Sequence, residues 1–268
     1  MDSSSHDNMS FLEHLEELRW HIIRSLIAIV SAGFICFLMK DFIFDTIIFG
    51  PKKMDFPTYK FLCQAATFIG VETTFCGDEF PFTVQNRTMA GQFSAHVMTS
   101  IISGFIISFP YILYEFWKFI SPGLLEKEKA KSRGFIFISS LLFFIGVLFG
   151  YYIISPLSIN FLGTYQVSSQ VLNEIDLGSF ISLVRSSAIA SGIIFELPII
   201  IYFLTKAGLV TPVSLVKYRK YALVLVLVLA AIITPPDVAS QIIVAIPIVV
   251  LYQVSIFISK IVVKNQGK

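Results

Sequence analysis

Six apolar runs alternate with polar connectors along the chain, at residues 22–39, 93–116, 135–154, 181–204, 221–233 and 238–258. A bilayer core of about 30 Å takes about 20 helical residues. The first four runs meet that length. The fifth holds 13 residues and rises only about 20 Å as a helix. The bilayer must thin around it, or protein must cover it. The sixth is longer but carries Pro247. The pattern predicts an all-α, polytopic membrane protein with six transmembrane helices in one membrane domain over residues 1–268.

Composition supports that class. Hydrophobic residues make up 55% of the 268 positions and charged residues 14%, with a mean hydropathy of +0.78. A soluble domain is excluded. The net charge of +2 comes without a basic patch of interleaved aromatics, so no nucleic-acid partner is expected. Residues 1–10 are polar and the first apolar run follows an acidic segment, so no cleavable leader is expected.

Charge sets the orientation. With the N-terminus in the cytoplasm, 14 of the 20 Lys and Arg fall on cytoplasmic segments and six outside. The positive-inside rule then places both termini in the cytoplasm. No internal repeat is evident, which counts against an inverted-repeat transporter. Three polar segments stand out: an interfacial helix at 10–20, an extracytoplasmic cap loop at 40–92 and a cytoplasmic loop at 117–133.

The interfacial helix reads FLEHLEELR from Phe11 to Arg19. Ser10 and Glu13 have the spacing of a capping box. Leu12, Leu15, Leu18 and Ile22 recur at helical steps and form an apolar stripe suited to the membrane surface. Glu13 and Glu17 share a face and repel mildly, while Glu16 reaches Arg19 at i+3. Glu17 is left as the freer acid. A solvated interfacial helix and a cation-binding edge both fit these residues.

The cytoplasmic loop reads YEFWKFISPGLLEKEKAK from Tyr114 to Lys131. Tyr114, Trp117 and Phe119 suit the headgroup zone. Ser121-Pro122-Gly123 stops one helix, and Leu124, Leu125, Glu126 and Glu128 begin another. A plain charged connector fits as well. An apolar rim beside a carboxylate, on the membrane face of the acidic helix, also reads as a binding edge.

Glu196, in IIFELPIII, is the only carboxylate deep within a run. Such a residue faces protein or water and usually has a function, although a protonated acid hydrogen-bonded in a bundle is the plain alternative. Pro198 removes an amide donor and frees the Ile194 carbonyl. Pro110 and Pro247 are expected to act likewise, so the helices bend into a concave wall. Thr234-Pro235-Pro236-Asp237 reads as a rigid outer turn whose Asp237 caps the last helix. Gly146 and Gly150 form a small-xxx-small pair, a weak signal for which chance contact with lipid is the better reading. Cys63 and Cys76 lie in the outer loop, thirteen apart. A disulfide and two free thiols fit equally, because spacing does not set geometry. The sequon at Asn86 is read as chance.

These blocks together resemble the TatC family, the core membrane subunit of the twin-arginine protein translocase. The matching motifs are HLEELR at His14–Arg19, YEFWKFISPGLLEKE at Tyr114–Glu128, FELP at Phe195–Pro198, and TPPD with the following Gln241. The resemblance covers residues 11–258, and the outer loop at 57–91 is longer than the family pattern. It implies a protein with no cofactor and no bound metal that is not an enzyme, in the bacterial cytoplasmic (inner) membrane. It implies binding of twin-arginine signal peptides of folded cargo, with Glu17 and Glu128 holding the arginines and Arg19, Phe119, Pro122 and Leu124 supporting them. Guanidinium and carboxylate pair in a planar, bidentate way that lysine cannot copy. TatA-type and TatB-type single-span partners, self-association in the complex and the proton-motive force are implied with it. Glu196 and Gln241 would serve as intramembrane polar contacts for a partner, and Pro51 would support the outer cap.

Two other classes compete. A proton-coupled small-molecule transporter would use Glu196 as proton carrier, but it calls for polar residues converging near the midplane. An intramembrane enzyme calls for a nucleophile with a base, or for paired acids at depth. His96 is a lone ring near the outer end of the second run, packed or interfacial rather than a ligand.

Overall fold

The computed structural model describes residues 11–70, 76–77, 79–120, 132–168, 170–233 and 238–266. The expected positions Pro122, Leu124, Glu128, Pro235, Pro236 and Asp237 lie outside them. The chain divides into two compact units, Met1–Met39 with Val97–Leu141, and Lys40–His96 with Leu142–Lys268.

The first unit is built on α1 (Phe11–Leu38), on most of α3 (Gly91–Ile120) and on the start of α4 (Ser132–Phe149). Helices α1 and α3 run antiparallel in a fixed register. A Cβ on Gly104 would lie 2.5 Å from the Gly33 nitrogen, so the two backbones touch there. Further toward the N-terminus of α1, Ser108 Oγ donates to the Ala28 carbonyl at 3.0 Å. Further still, His21 meets Glu115. Pro110 lies inside α3 without ending it. Trp117 is buried, its ring 4.8 Å from that of Phe135 on α4.

The second unit carries the outer cap. A π-helical turn (Phe42–Ile48) and a 3₁₀ turn (Gly50–Lys52) lead to α2 (Pro57–Ile69) and β1 (Phe82–Gln85). After α4 come a second π-helical turn (Gly150–Ile154), α5 (Ser155–Thr164) and β2 (Asn173–Asp176). β1 pairs with β2 in parallel, Phe82 opposite Asn173 and Gln85 opposite Asp176, a small sheet that the all-α expectation lacked. Tyr59 is fully buried, and its hydroxyl lies 2.9 Å from the Pro51 carbonyl and 3.0 Å from that of Pro156. Tyr151, on the second π turn, donates to the Ile47 carbonyl on the first at 2.8 Å. Thr58 Oγ1 donates to the Tyr152 carbonyl. Cys63 and Cys76 are joined in a disulfide, with 5.1 Å between their Cα atoms, which closes the choice that spacing left open.

The remaining helices of this unit are α6 (Leu177–Phe195), α7 (Leu197–Lys206), α8 (Pro212–Lys217), α9 (Arg219–Ile233) and α10 (Val238–Gln266). Asp176 caps α6, accepting from the Gly178 and Ser179 amides. The glycine pair at 146 and 150 is a packing contact, contrary to the chance reading. A Cβ on Gly150 would lie 2.3 Å from the Ser187 carbonyl. Ser191 Oγ donates to the Gly146 carbonyl at 2.6 Å. Small residues let two helices touch at backbone distance, which is how helices associate where lipid offers no hydrophobic drive. Ile154, Val226, Ala230, Val244, Ala245 and Ile248 form an apolar core where α9 and α10 meet the second π turn.

Among the described residues, five helices are long and apolar enough to cross a membrane: Leu15–Leu38, Gly91–Ile120, Gly134–Thr164, Leu177–Lys206 and Gln241–Lys264. The fifth expected span is α9, whose 15 residues rise about 22 Å. Of the expected bends, only the one at Pro198 divides a helix; α10 runs on through Pro247 as α3 does through Pro110.

Candidate functional site

The first unit holds the acidic edge. Glu17, His21, Arg24 and Ala28 succeed one another at steps of four, three and four on α1, a single helical stripe. Ala28 and His21 of that stripe touch α3. Glu115 and Phe119 stand one turn apart on α3. His21 Nδ1 lies 2.5 Å from Glu115 Oε2, and Arg24 Nη1 lies 3.8 Å from the same oxygen. Tyr111, one turn before Glu115 on α3, neighbours the same carboxylate. The His21 ring meets Phe119 edge-on, with centroids 6.0 Å apart.

Glu115 is only 3% exposed, as buried as Glu196 at 8%. An isolated buried carboxylate would be costly, and this one is held by a ring nitrogen with a guanidinium nearby. Glu115, near the end of the second run, is thus a second buried acid in addition to Glu196. Glu115 lies within the motif YEFWKF, which by itself assigns it no role. The available signal was an acid inside the second run and a basic stripe, His21 and Arg24, on α1.

Of the three expected signal-peptide residues on described segments, two flank this cluster. Glu17 is half-buried one turn before His21, and Phe119 is half-buried one turn after Glu115. Arg19 is exposed and points to no described partner; the expected Glu16–Arg19 ion pair does not form. Both side chains are solvated, where such a pair contributes about 0–1 kcal/mol.

The other expected polar residues lie in the second unit. Glu196 is buried at the break between α6 and α7. Pro198 has no N–H for the helix ladder, and the Glu196 amide turns back to the Ile193 carbonyl at 3.1 Å. Gln241 Nε2 donates to the Leu227 carbonyl at 3.1 Å and so ties α10 to α9. Pro51 is buried beneath the cap and accepts from Tyr59. A cleft beside the cap is lined by Lys40, Asp45, Lys52, Asp55 and His96 among others, and Glu196 is not part of its wall.

Several helices long and apolar enough to span a bilayer, crossing at backbone distance, define a polytopic membrane protein. The family profile described as "Sec-independent protein translocase protein (TatC)" matches residues 13–247. The chain belongs to the TatC family. It is 46% identical over 261 residues to the Sec-independent protein translocase protein TatC of Blattabacterium sp. subsp. Periplaneta americana (strain BPLAN), covering 97% of this chain and 98% of that one. It is 35% identical over 261 residues to TatC of Aquifex aeolicus (strain VF5), covering 96% and 98%. Among solved structures, a twin-arginine translocase receptor TatC crystallised in DDM superposes with a TM-score of 0.70 at 35% identity, covering 92% of this chain and 99% of that one. A second TatC receptor crystal structure gives 0.68 at 32% identity, covering 94% and 100%. The protein is thus a component of a bacterial Tat translocase, with several membrane helices, and not an enzyme.

Proposed function

We propose that this chain is the receptor subunit of a twin-arginine translocase, binding Arg-Arg signal peptides at its cytoplasmic edge. The observation that carries the reading is the placement of Glu17. It stands half-buried on the α1 stripe that packs on α3, one turn from the end of the packed register. A carboxylate there is near enough to the membrane surface to meet a guanidinium whose neighbouring segment is apolar. Glu17 and Glu128 hold the two arginines, and Arg19, Phe119, Pro122 and Leu124 shape the edge around them.

The reading extends to topology and partners. The short helix α9 is the sixth span, both termini lie in the cytoplasm, and the membrane is the inner one. TatA-type and TatB-type single-span proteins assemble on the chain, which also self-associates, and the proton-motive force drives passage of folded cargo. One chain of this size cannot enclose a folded protein, which is the physical reason for partners. Glu196, buried at a helix break, and Gln241 serve as polar contacts toward a partner helix.

Photo-crosslinking of an Arg-Arg signal peptide to the full chain tests the site. Glu17→Ala and Glu128→Ala should each weaken the peptide by about 1.5–3 kcal/mol, as loss of a hydrogen bond to a charged group does. That is roughly ten- to a hundredfold in affinity. Undiminished crosslinking in both variants would overturn the assignment.

A further inference from the structure

We infer that His21 and Glu115 form a positioning pair that sets the geometry of the arginine site, a role that rests on the reading of Glu17 given above. Three contacts fix the antiparallel register of α1 and α3. Gly33 meets the Gly104 position, Ala28 meets Ser108, and His21 meets Glu115. Each step backward along α1 is matched by a step of similar length forward along α3. One more turn in the same register brings Glu17 level with Phe119. The last contact before the binding edge is therefore the His21–Glu115 pair, and Phe119 already leans on the His21 ring.

The chemistry of the pair suits that role. A backbone crossing at Gly33 and Gly104 fixes how closely the helices approach, but it lies more than four turns from Glu17. Small rotations there become large displacements at the helix ends. A buried carboxylate held by an imidazole at 2.5 Å, with a phenol and a guanidinium around it, tolerates little sliding. The pair thus converts a packed crossing into a defined place for the Glu17 carboxylate. Bidentate recognition of guanidinium depends on such placement, whereas attraction of an ammonium depends mainly on charge. Loss of the pair therefore lowers the preference for Arg-Arg over Lys-Lys as well as the affinity.

The test uses the full chain in detergent and fluorescent Arg-Arg and Lys-Lys signal peptides. His21→Ala and Glu115→Ala are each expected to weaken Arg-Arg binding on the order of tenfold, with a smaller change for Lys-Lys. The double variant is expected to bind no worse than the weaker single one, since both remove one interaction. The exchanged pair, His21→Glu with Glu115→His, is expected to recover most of the Arg-Arg preference. A variant that merely loses folded protein lowers both peptides alike and leaves their ratio unchanged, and that result would overturn the inference. So would wild-type binding in both single variants, or additive losses. Where Glu115→Ala yields no folded protein, Glu115→Gln replaces it, and wild-type selectivity in that variant sinks the pair. Glu17→Ala separates the two layers. If it binds Arg-Arg peptide normally, the arginine-site reading fails; if it fails to bind while Glu115→Ala binds fully, the positioning role alone fails.

Discussion

Gly104 of α3 sits so close to α1 that a Cβ there would lie 2.5 Å from the backbone nitrogen of Gly33. The two helices meet as backbones, with no side chain between them. Gly104→Val should therefore push the helices apart and destabilise the first unit by about 1–3 kcal/mol, as overpacking does. Thermal unfolding of the detergent-solubilised chain reads this. An unchanged midpoint would mean that the crossing is looser than the structure shows.

The buried hydroxyl of Tyr59 ties the outer cap together through the Pro51 and Pro156 carbonyls. Burial pushes its pKa well above the ordinary tyrosine value. A group raised in the folded state contributes stability that is fully present below its unfolded pKa and is lost as pH rises beyond it. Stability from Tyr59 should thus hold to about pH 10 and fall above. Tyr59→Phe should destabilise the cap by roughly 0.5–1.5 kcal/mol near neutrality and flatten part of the alkaline fall. Melting curves across pH, with the variant tracking the wild type at every pH, would contradict the role given to this hydroxyl.

The Cys63–Cys76 bridge joins α2 to the segment before β1. Closing a loop of this length should stabilise the cap by about 2–4 kcal/mol. Adding reductant should lower the melting midpoint of the wild type and leave a Cys63→Ala/Cys76→Ala variant unmoved. Cys36 is a buried thiol and should not contribute. Equal melting of oxidised and reduced wild type would show that the bridge carries no weight.

Much of the fold was readable before any coordinates. Apolar runs of about twenty residues announce spans because the bilayer fixes their length, and five of the six runs became long helices. The 13-residue run did not, since α9 remains shorter than a bilayer core. The two-stranded sheet escaped notice because four-residue strands carry little pattern, and Phe82 and Asn173 are far apart in the chain. Motif placed Glu17 and Phe119 as candidates, and the structure brings both to one end of the α1–α3 pair. The pair between them was not, because His21 and Glu115 are 94 positions apart and only the register of α1 on α3 brings them together. Glycine spacing was discounted at Gly146 and Gly150 for a similar reason. A small residue shows that a close approach is allowed, and only the neighbouring helix shows that it is used.

Discrimination between arginine and lysine is the most direct test of the proposed receptor role. Binding of Arg-Arg and Lys-Lys signal peptides to the full chain, with and without Glu17→Ala, should be measured side by side. The wild type should prefer Arg-Arg by roughly tenfold or more, and Glu17→Ala should remove most of that preference. Equal binding of the two peptides by the wild type would contradict it.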